Sequence, residues 1–237
     1  MDYSQELAAR GVDADRVFRF LRRLRAEPRN LTGFAGEAVW ARGVLESLAL
    51  LPWLDGVHRW VDVGTGAGWP GLVLAIARPT VEMWLVERRV SRASFLETVC
   101  RELGLKAVHV VAEPMEEAVR RVGVLREGCD GASARAVGPL GLSLELTLPA
   151  VRLGGVVLLP RGSRAREEVS EAEGLLERLG GVLERVVSLQ PVEGTLAGSL
   201  LVVRKVRPTP DRFPRRRPRL GRVEAVGPPA RSGPGAV

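Results

Sequence analysis

The sequence predicts an α/β protein whose mostly parallel sheet is covered by helices on both faces. Three observations lead to this prediction. From residue 59 onward, short apolar runs alternate with amphipathic stretches of helical length, as in consecutive strand–helix units. The first apolar run continues directly into the glycine-rich stretch VDVGTGAGWPG, residues 61–71, which suits a tight turn into a helix. The last two apolar runs are joined by a turn-rich segment, which indicates an antiparallel hairpin at one edge of the sheet.

Residues 1–55 are predicted to form a helical extension before the sheet. Asp13 is a suitable N-cap for a first helix that ends at Pro28. The apolar stripe of this helix has three- and four-residue spacing and consists of Val17, Phe18, Leu21 and Leu24. A second helix is predicted from about residue 36 to residue 50, before Pro52.

Residues 56–207 are predicted to form the main domain, with seven strands. The predicted strands are 60–63, 81–86, 107–111, 131–134, 156–159, 182–189 and 199–206. The helices between them are predicted to start near Pro70, to run from Ser91 to Leu103, and to cover 115–121, 140–151 and 164–179. Proline suits the first turn of a helix because its missing N–H would be unpaired there anyway.

Size and composition exclude several classes of protein. The chain has 237 residues and 46% hydrophobic content, enough for one sizeable α/β core. No apolar run reaches the roughly 20 residues of a membrane span, and the N-terminus lacks the apolar segment of a signal peptide. We therefore expect a cytoplasmic protein without a membrane partner. Cys100 and Cys129 are expected to be buried bystander thiols, and the two histidines lack the neighbouring donors of a metal site.

The net charge of +7 is concentrated at the C-terminus. Residues 204–237 contain ten basic residues against Asp211 and Glu224, so the rest of the chain is close to neutral. The Pro/Arg-rich tail, residues 208–237, has too little apolar content to build a core and is predicted to be flexible or to dock as an extended segment. Its charge fits a polyanionic partner, since arginines that neutralise phosphates release counterions. A solvated tail that keeps the protein soluble explains the charge equally well.

Three classes of ligand are candidates for the glycine-rich loop. A phosphate-binding P-loop requires a lysine after the last glycine, and none follows here. A dinucleotide motif, G-x-G-x-x-G, matches residues 66–71, but Pro70 removes a donor N–H near the expected pyrophosphate. The remaining pattern is an acid, Asp62, two residues before Gly64-x-Gly66-x-Gly68, which resembles the first motif of class I methyltransferases. Those enzymes bind S-adenosylmethionine, and its cationic sulfonium favours a nearby carboxylate.

Glu87 is the second candidate ligand residue. It ends the second predicted strand, 23 positions after Gly64, where a carboxylate can accept hydrogen bonds from both ribose hydroxyls of an adenosine. The same residue in isolation would be an ordinary surface acid. After this glycine loop we favour the ribose role, which a methyltransferase and a dinucleotide enzyme would share.

Several motifs together resemble those of the bacterial 16S ribosomal RNA guanine-N7 methyltransferases, the glucose-inhibited division protein B family. The resemblance runs from about Asn30 to Pro218. Residues 30–32, NLT, follow the first helix as in the family, and residues 62–71 match D-x-G-[TS]-G-x-G-x-P-G. The other matching stretches are SARAV at 133–137, LLVVRK at 200–205 and FPRR at 213–216, the last resembling a basic Y-P-R-[KR] tail.

The resemblance implies a class I S-adenosylmethionine-dependent methyltransferase fold, Rossmann-like, with a seven-stranded, mostly parallel sheet and an N-terminal helical extension. It implies methylation of a guanine N7 in 16S ribosomal RNA, with that RNA or the small ribosomal subunit as partner, by a monomer. The implied cofactor-binding residues are Asp62, Gly64, Thr65, Gly66, Gly68, Glu87, Met115, Glu116 and Arg135. Arg135 is also the candidate catalytic residue, and the candidate RNA-binding residues are Arg161, Arg215, Arg216 and Arg217.

Each of these roles has a plainer alternative. Asp62 could cap the turn, Met115 and Glu116 could be an ordinary helix start, and Arg135 could form an internal salt bridge. The candidate RNA-binding arginines could be solvated charges.

The sequence also departs from the family pattern. Gly43, Glu46 and Ser47 replace an H-x-x-D-S element, Pro114 begins the stretch that replaces R-A-E, and Arg161-Gly162 replaces Lys-Gly. Two alternative functions therefore stay open: a diverged paralogue that binds RNA without methylating it, and a nucleotide-dependent oxidoreductase.

Overall fold

A computed structural model describes residues 3–33, 35–189 and 198–216. Its seven strands are β1 (Arg59–Val63), β2 (Glu82–Val86), β3 (Val108–Val111), β4 (Cys129–Ala134), β5 (Val151–Arg161), β6 (Gly181–Leu189) and β7 (Gly198–Lys205). They form one sheet in the order β3-β2-β1-β4-β5-β7-β6. Neighbours from β3 to β5 are parallel, and β7 is antiparallel to both β5 and β6. The predicted parallel sheet with an edge hairpin is confirmed.

Eight helical elements accompany the strands in the described part of the chain. They are α1 (Tyr3–Ala9), α2 (Ala14–Ala26), α3 (a π-helical segment, Val39–Leu45, continued by Glu46–Leu48), α4 (Gly71–Ala77), α5 (Val90–Leu103), α6 (Met115–Arg121), α7 (Leu140–Thr147) and α8 (Ala165–Arg178). None of these helices combines the length and the apolar character that a membrane crossing requires.

Two element boundaries differ from the predictions for a clear physical reason. Helix α7 ends at Thr147 instead of continuing to 151, and β5 begins at Val151 instead of 156. Pro149 lies in the short 3₁₀ turn between them. Proline has no N–H to continue an α-helix, so the chain turns here and enters the strand earlier.

The N-terminal extension shares its core with one face of the sheet. Phe20 of α2 and Trp40 of α3 belong to the same buried cluster as Leu72 of α4 and Leu96 of α5. The rings of Phe20 and Trp69 lie 4.9 Å apart between centroids. In α2 the fully buried positions are Val17, Phe20 and Leu24, whereas Phe18 and Leu21 of the predicted stripe are only half-buried. The described part of the extension therefore packs within the core on this face of the sheet and does not form a core of its own.

The other face of the sheet is covered by α6, α7, α8 and the start of the C-terminal tail. Thr209 and Phe213 are buried, and Phe213 joins the cluster formed by Met115, Leu144 and Leu176. Residues 208–216 are thus packed against the domain, as in the docked alternative given for the tail. The remaining tail residues lie outside the described residues.

Candidate functional site

A cavity of about 430 Å³ opens where β1 to β4 end. The carboxyl edge of a parallel sheet is where open α/β folds bind ligands, and this volume lies within the roughly 300–1,000 Å³ of small-molecule sites. The cavity is lined by Val63, Gly64, Val86, Glu87, Arg88, Arg89, Arg92, Glu113, Pro114, Met115, Glu116, Ala136, Val137, Leu142 and Leu146. Four of the predicted cofactor-binding residues are therefore brought together here: Gly64, Glu87, Met115 and Glu116.

The glycine loop forms one wall of this cavity. Gly64, Gly66 and Gly68 all have left-handed backbone angles, with φ of +68°, +61° and +111°, which other residues rarely adopt. The N–H groups of Gly64 and Thr65 donate to the carbonyl of Val86, which fastens the loop to β2. A Cβ on Gly64 would lie 2.8 Å from a methyl group of Val137 across the cavity. The loop must therefore be bare at Gly64 for the cavity to keep its shape.

Glu87 is the buried carboxylate of the cavity, with 4% of its surface exposed. Oε2 accepts a hydrogen bond from Gly66 N at 3.0 Å, and Oε1 accepts one from Arg89 N at 2.8 Å. Each carboxylate oxygen has a further lone pair, so both can still accept from a ligand hydroxyl. Beside it, the buried Met115 offers an apolar contact for a base. An acid for a ribose next to an apolar wall fits an adenosine compound.

Asp62 lies beneath the glycine loop and is fully buried. Its Oδ2 accepts from Gly71 N at 2.9 Å, at the start of α4, and its Oδ1 accepts from Ser133 Oγ at 2.7 Å, on β4. Trp60 Nε1 in turn donates to Ser133 Oγ at 3.0 Å. Both oxygens of Asp62 thus support the turn, and the cavity lining does not include this residue. The geometry favours the turn-capping alternative, in which Asp62 affects a ligand through the loop.

The buried position of Asp62 leads to a testable pH dependence. Burial raises the pKa of Asp62 to about 6, although the hydrogen bonds from Ser133 and Gly71 stabilise the carboxylate. The folded protein then holds this proton more tightly than the unfolded chain, so the carboxylate lowers stability as the pH rises through this range. Relative to Asp62→Asn, the wild-type free energy of unfolding is expected to fall by about 3 kcal/mol between about pH 4 and pH 7. Urea unfolding of both proteins measures this difference, and parallel pH profiles would contradict the prediction.

Arg135 follows β4 and points toward the N-terminal extension. Its guanidinium donates to the carbonyl of Arg42 and to Glu46 Oε2, the latter at 3.3 Å, and only 12% of the side chain is exposed. Burial lowers the pKa of Arg135, while Glu46 and Asp62 act in the opposite direction. The next residues in the chain, Ala136 and Val137, line the cavity. Arg135 therefore connects α3 to the cavity wall without itself belonging to the lining.

Two of the departures from the family pattern have structural counterparts. Glu46 occupies the place of the family aspartate and keeps a carboxylate, which pairs with Arg135. Gly43 occupies the place of the family histidine, and a Cβ there would lie 2.9 Å from the indole ring of Trp69. The indole ring of Trp69, in the glycine loop, thus packs against the space that a side chain at position 43 would need. The internal salt bridge given above as the alternative for Arg135 is therefore observed, with Glu46 as the partner that the sequence analysis did not name.

Arg161 is placed inside the protein and not on its surface. Its side chain is 8% exposed, and it donates to the carbonyl of Gly138 at 2.8 Å and to Ser143 Oγ, with Glu168 at 3.6 Å. Because the guanidinium is buried and already donates to internal partners, it is poorly placed to bind an RNA phosphate. Its observed contacts instead join β5 to α7 and to the loop after β4.

The tail arginines are placed differently from one another. Arg215 pairs with Glu145, while Arg216 is exposed beside α6. Arg217 lies outside the described residues. Of the four candidate RNA-binding residues, Arg215 and Arg216 are therefore the ones with described exposed side chains, and that of Arg215 is paired with the buried Glu145.

Arg88, Arg89 and Arg92 also line the cavity and were not among the predicted site residues. Arg92 Nη1 lies 3.7 Å from the Cβ position of Gly66, over the glycine loop. The signal was the run ERRVSR, residues 87–92, directly after the candidate ribose acid. The lining also contains Glu87, Glu113 and Glu116, so the three arginines offset three carboxylates and supply local cations that suit an anionic ligand group.

The two cysteines are buried and unpaired by disulfide, as predicted. Burial raises the pKa of Cys100 and of Cys129 to about 12, so both thiols are held in the unreactive protonated form. Within the described ranges, no group of three or more histidine, cysteine or acidic side chains could hold a metal ion.

The chain is similar to known proteins over most of its length. The family model "rRNA small subunit methyltransferase G", GidB, matches residues 19–196. The ribosomal RNA small subunit methyltransferase G of Sorangium cellulosum is 40% identical over 90% of this chain and 91% of that protein. The protein of the same name from Roseiflexus castenholzii is 39% identical over 85% and 82% of the two chains.

Solved structures resemble the fold at low sequence identity. A SAM-dependent O-methyltransferase from Thermotoga maritima superposes with a TM-score of 0.52 at 18% identity, over 68% of this chain and 65% of that one. The TYW2 protein of M. jannaschii, solved in complex with AdoMet, gives a TM-score of 0.52 at 17% identity, over 69% and 75% of the chains. These likenesses concern the fold, and they confirm the fold class predicted from the sequence.

Proposed function

The chain belongs to the rRNA small subunit methyltransferase G family, and on that premise we propose that it methylates N7 of a guanine in 16S ribosomal RNA, with S-adenosylmethionine as methyl donor. The observation that supports the proposal is the carboxyl-edge cavity, with a buried Glu87 and an apolar Met115 beside the glycine loop. The family relationship disfavours the oxidoreductase alternative. Pro70, which removes a donor N–H from the loop, also argues against a pyrophosphate there.

The cavity residues divide the recognition of the cofactor by chemistry. Glu87 would accept from the ribose hydroxyls, Met115 would contact the adenine ring, and Glu116 would hydrogen-bond to the adenine edge. The backbone of the glycine loop, from Gly64 to Gly68, would lie along the methionine part. Asp62 supports this loop from below. S-adenosylmethionine, when bound, supplies a methyl group activated by a sulfonium.

Guanine N7 has an available lone pair in the neutral base, so no proton has to be removed before it accepts a methyl group. The protein then needs to position the acceptor rather than to provide a general base. The absence of a need for a general base agrees with the state of Glu87, because its carboxylate already accepts two backbone hydrogen bonds in the cavity. Arg135 is the proposed catalytic residue, and it would act beside the cavity wall at Val137.

The RNA side of the site would be formed by arginines around the cavity mouth. Arg88, Arg89 and Arg92 line the cavity, and Arg216 lies beside its outer wall. Phosphate contacts fix the position of the RNA without reading its sequence. An unpaired or loop nucleotide is the proposed target, because N7 faces the deep, narrow groove of an RNA helix. The protein would act on ribosomal RNA or small subunits in the cytoplasm, as a monomer.

Methyl incorporation tests the proposal directly. With tritiated S-adenosylmethionine, label is expected in 16S ribosomal RNA, either as deproteinised RNA or within small subunits. Cleavage at 7-methylguanine followed by reverse transcription should give one strong stop. RNA binding without incorporation on either substrate would instead support the inactive paralogue. Calorimetry with a nicotinamide dinucleotide serves as the control, and binding of that compound in place of S-adenosylmethionine would revive the oxidoreductase.

A further inference from the structure

The start of the C-terminal tail is fixed to the domain by hydrogen bonds to its backbone. Arg126 donates to the carbonyls of Phe213, at 2.5 Å, and Thr209, at 2.8 Å. Arg120 donates to the carbonyl of Pro214 at 2.6 Å. The N–H of Thr209 donates to Glu127 at 2.7 Å. These contacts to backbone atoms, together with the buried ring of Phe213, hold residues 209–214 against the domain.

The last of these anchors is a pair between Arg215 and Glu145. The backbone N of Arg215 donates to Glu145 Oε1 at 2.7 Å, and its guanidinium donates to Oε1 from Nε at 2.9 Å and to Oε2 from Nη2 at 2.6 Å. Glu145 is 1% exposed, whereas Arg215 is 49% exposed. A two-point contact between a guanidinium and a buried carboxylate fixes direction as well as position.

The anchor lies next to both candidate binding surfaces. Glu145 is on α7 between Leu142 and Leu146, which line the cofactor cavity. The following residue, Arg216, lines a groove of about 440 Å³. This groove shares Glu113 and Pro114 with the cavity, and its basic side chains are Arg120, Arg121 and Arg216. The arginine-rich tail sequence thus begins at the outer wall of the cavity.

We propose that the Glu145–Arg215 pair is an anchor that sets Arg216 beside the cavity, where its guanidinium meets the phosphates of the substrate RNA. Glu145 and Arg215 are therefore positioning residues, and Arg215 does not itself grip the RNA. The inference rests on the proposed function, because it takes ribosomal RNA as the polyanion. It extends that function by assigning the position of Arg216 to a buried carboxylate on α7.

The sign of one substitution separates an anchor from simple attraction. Glu145→Gln in the full-length protein removes a negative charge, so attraction between overall charges alone would strengthen binding to RNA. If the pair acts as an anchor, the opposite is expected: Glu145→Gln weakens RNA binding about tenfold, because Arg216 is no longer held beside the cavity. Filter binding with deproteinised 16S ribosomal RNA measures the change. Arg215→Ala should cause a similar loss, and the double variant should be no worse than either single one, since both act through one contact.

Arg212→Ala is the matched control. Arg212 is an exposed arginine of the same segment, beside the ring of Phe213, and its loss changes the charge equally. We expect Arg212→Ala to weaken RNA binding by less than about threefold and to leave residues 208–216 protected from hydrogen exchange. Arg215→Ala should lower the protection of the amides of residues 215 and 216, while residues 209–213, held by Arg126 and Glu127, stay protected.

Equal or tighter RNA binding by Glu145→Gln would overturn the proposal. If that variant does not fold, equal losses in Arg215→Ala and Arg212→Ala would overturn it instead. S-adenosylmethionine binding should be unchanged in all variants. Because the assay measures RNA binding without methyl transfer, a failure of the proposed activity would be seen separately, as absent incorporation in the wild-type protein.

Discussion

Glu87→Ala is expected to weaken S-adenosylmethionine binding by about 100-fold, the largest loss of cofactor affinity among single substitutions in this cavity. A hydrogen bond to a charged group contributes about 1.5–3 kcal/mol, and the buried carboxylate is proposed to accept from two ribose hydroxyls. The substitution also removes the acceptor of Gly66 N, which loosens the glycine loop. Calorimetry with S-adenosylhomocysteine, which does not react, measures the loss.

Two comparisons separate the ribose contact from a general loss of charge. Glu113→Ala removes another carboxylate of the cavity wall, one that pairs with Arg121 at 2.8 Å, and should change affinity by less than about threefold. A 2′-deoxy analogue should bind the wild-type protein more weakly but bind Glu87→Ala as well as the normal ligand does. Equal discrimination against the analogue by both proteins would show that Glu87 holds only the loop.

The sheet and the position of the cavity could be predicted from the sequence because both follow from local patterns. Alternation of apolar runs and amphipathic stretches sets the strand order within a small number of choices. The glycine loop after β1 and the acid after β2 then meet at one edge, since parallel strands end together. Gly64 and Glu87 line the same cavity for this reason.

The directions of individual side chains could not be predicted in the same way. An acid two residues before a glycine loop can point at a ligand or at the start of the next helix. In this protein Asp62 pairs in register with Ser133, and its carboxylate points to the face of the sheet that α4 covers, toward Gly71 N. Arg161 likewise ends a strand, and its contacts with Gly138 and Ser143 depend on how α7 packs.

Ion pairs between residues far apart in the chain could not be predicted from a single sequence either. Glu145 and Arg215 are 70 positions apart, and Glu46 and Arg135 are 89 positions apart. Neither pair has a periodic pattern, and each carboxylate is one of many in the chain. Only the packing of α7 and α3 against the sheet selects these partners, and for residues 208–216 it decides between the flexible and the docked alternative.

Arg135→Ala is expected to lower kcat by at least about 100-fold while changing the affinity for S-adenosylmethionine by less than about threefold. The reason is the location of Arg135 between α3 and the cavity wall. Its guanidinium holds the carbonyl of Arg42 and the carboxylate of Glu46, and the next residues in the chain line the cavity. Without the guanidinium, the half-buried Glu46 loses its cation, and the acceptor side of the cavity loses its connection to the extension.

Glu46→Ala tells whether Arg135 acts on the RNA directly or through this pair. If Arg135 touches the acceptor nucleotide, Glu46→Ala leaves the guanidinium in place and should lower kcat by less than about tenfold. If Arg135 acts through the pair with Glu46, both variants should lose a similar factor in kcat. Single-turnover methyl transfer at saturating S-adenosylmethionine and RNA isolates this step from binding. Thermal unfolding of both variants serves as the control, and it should show a folded domain. Unchanged turnover in Arg135→Ala would remove Arg135 from the mechanism and leave positioning to the cavity wall alone.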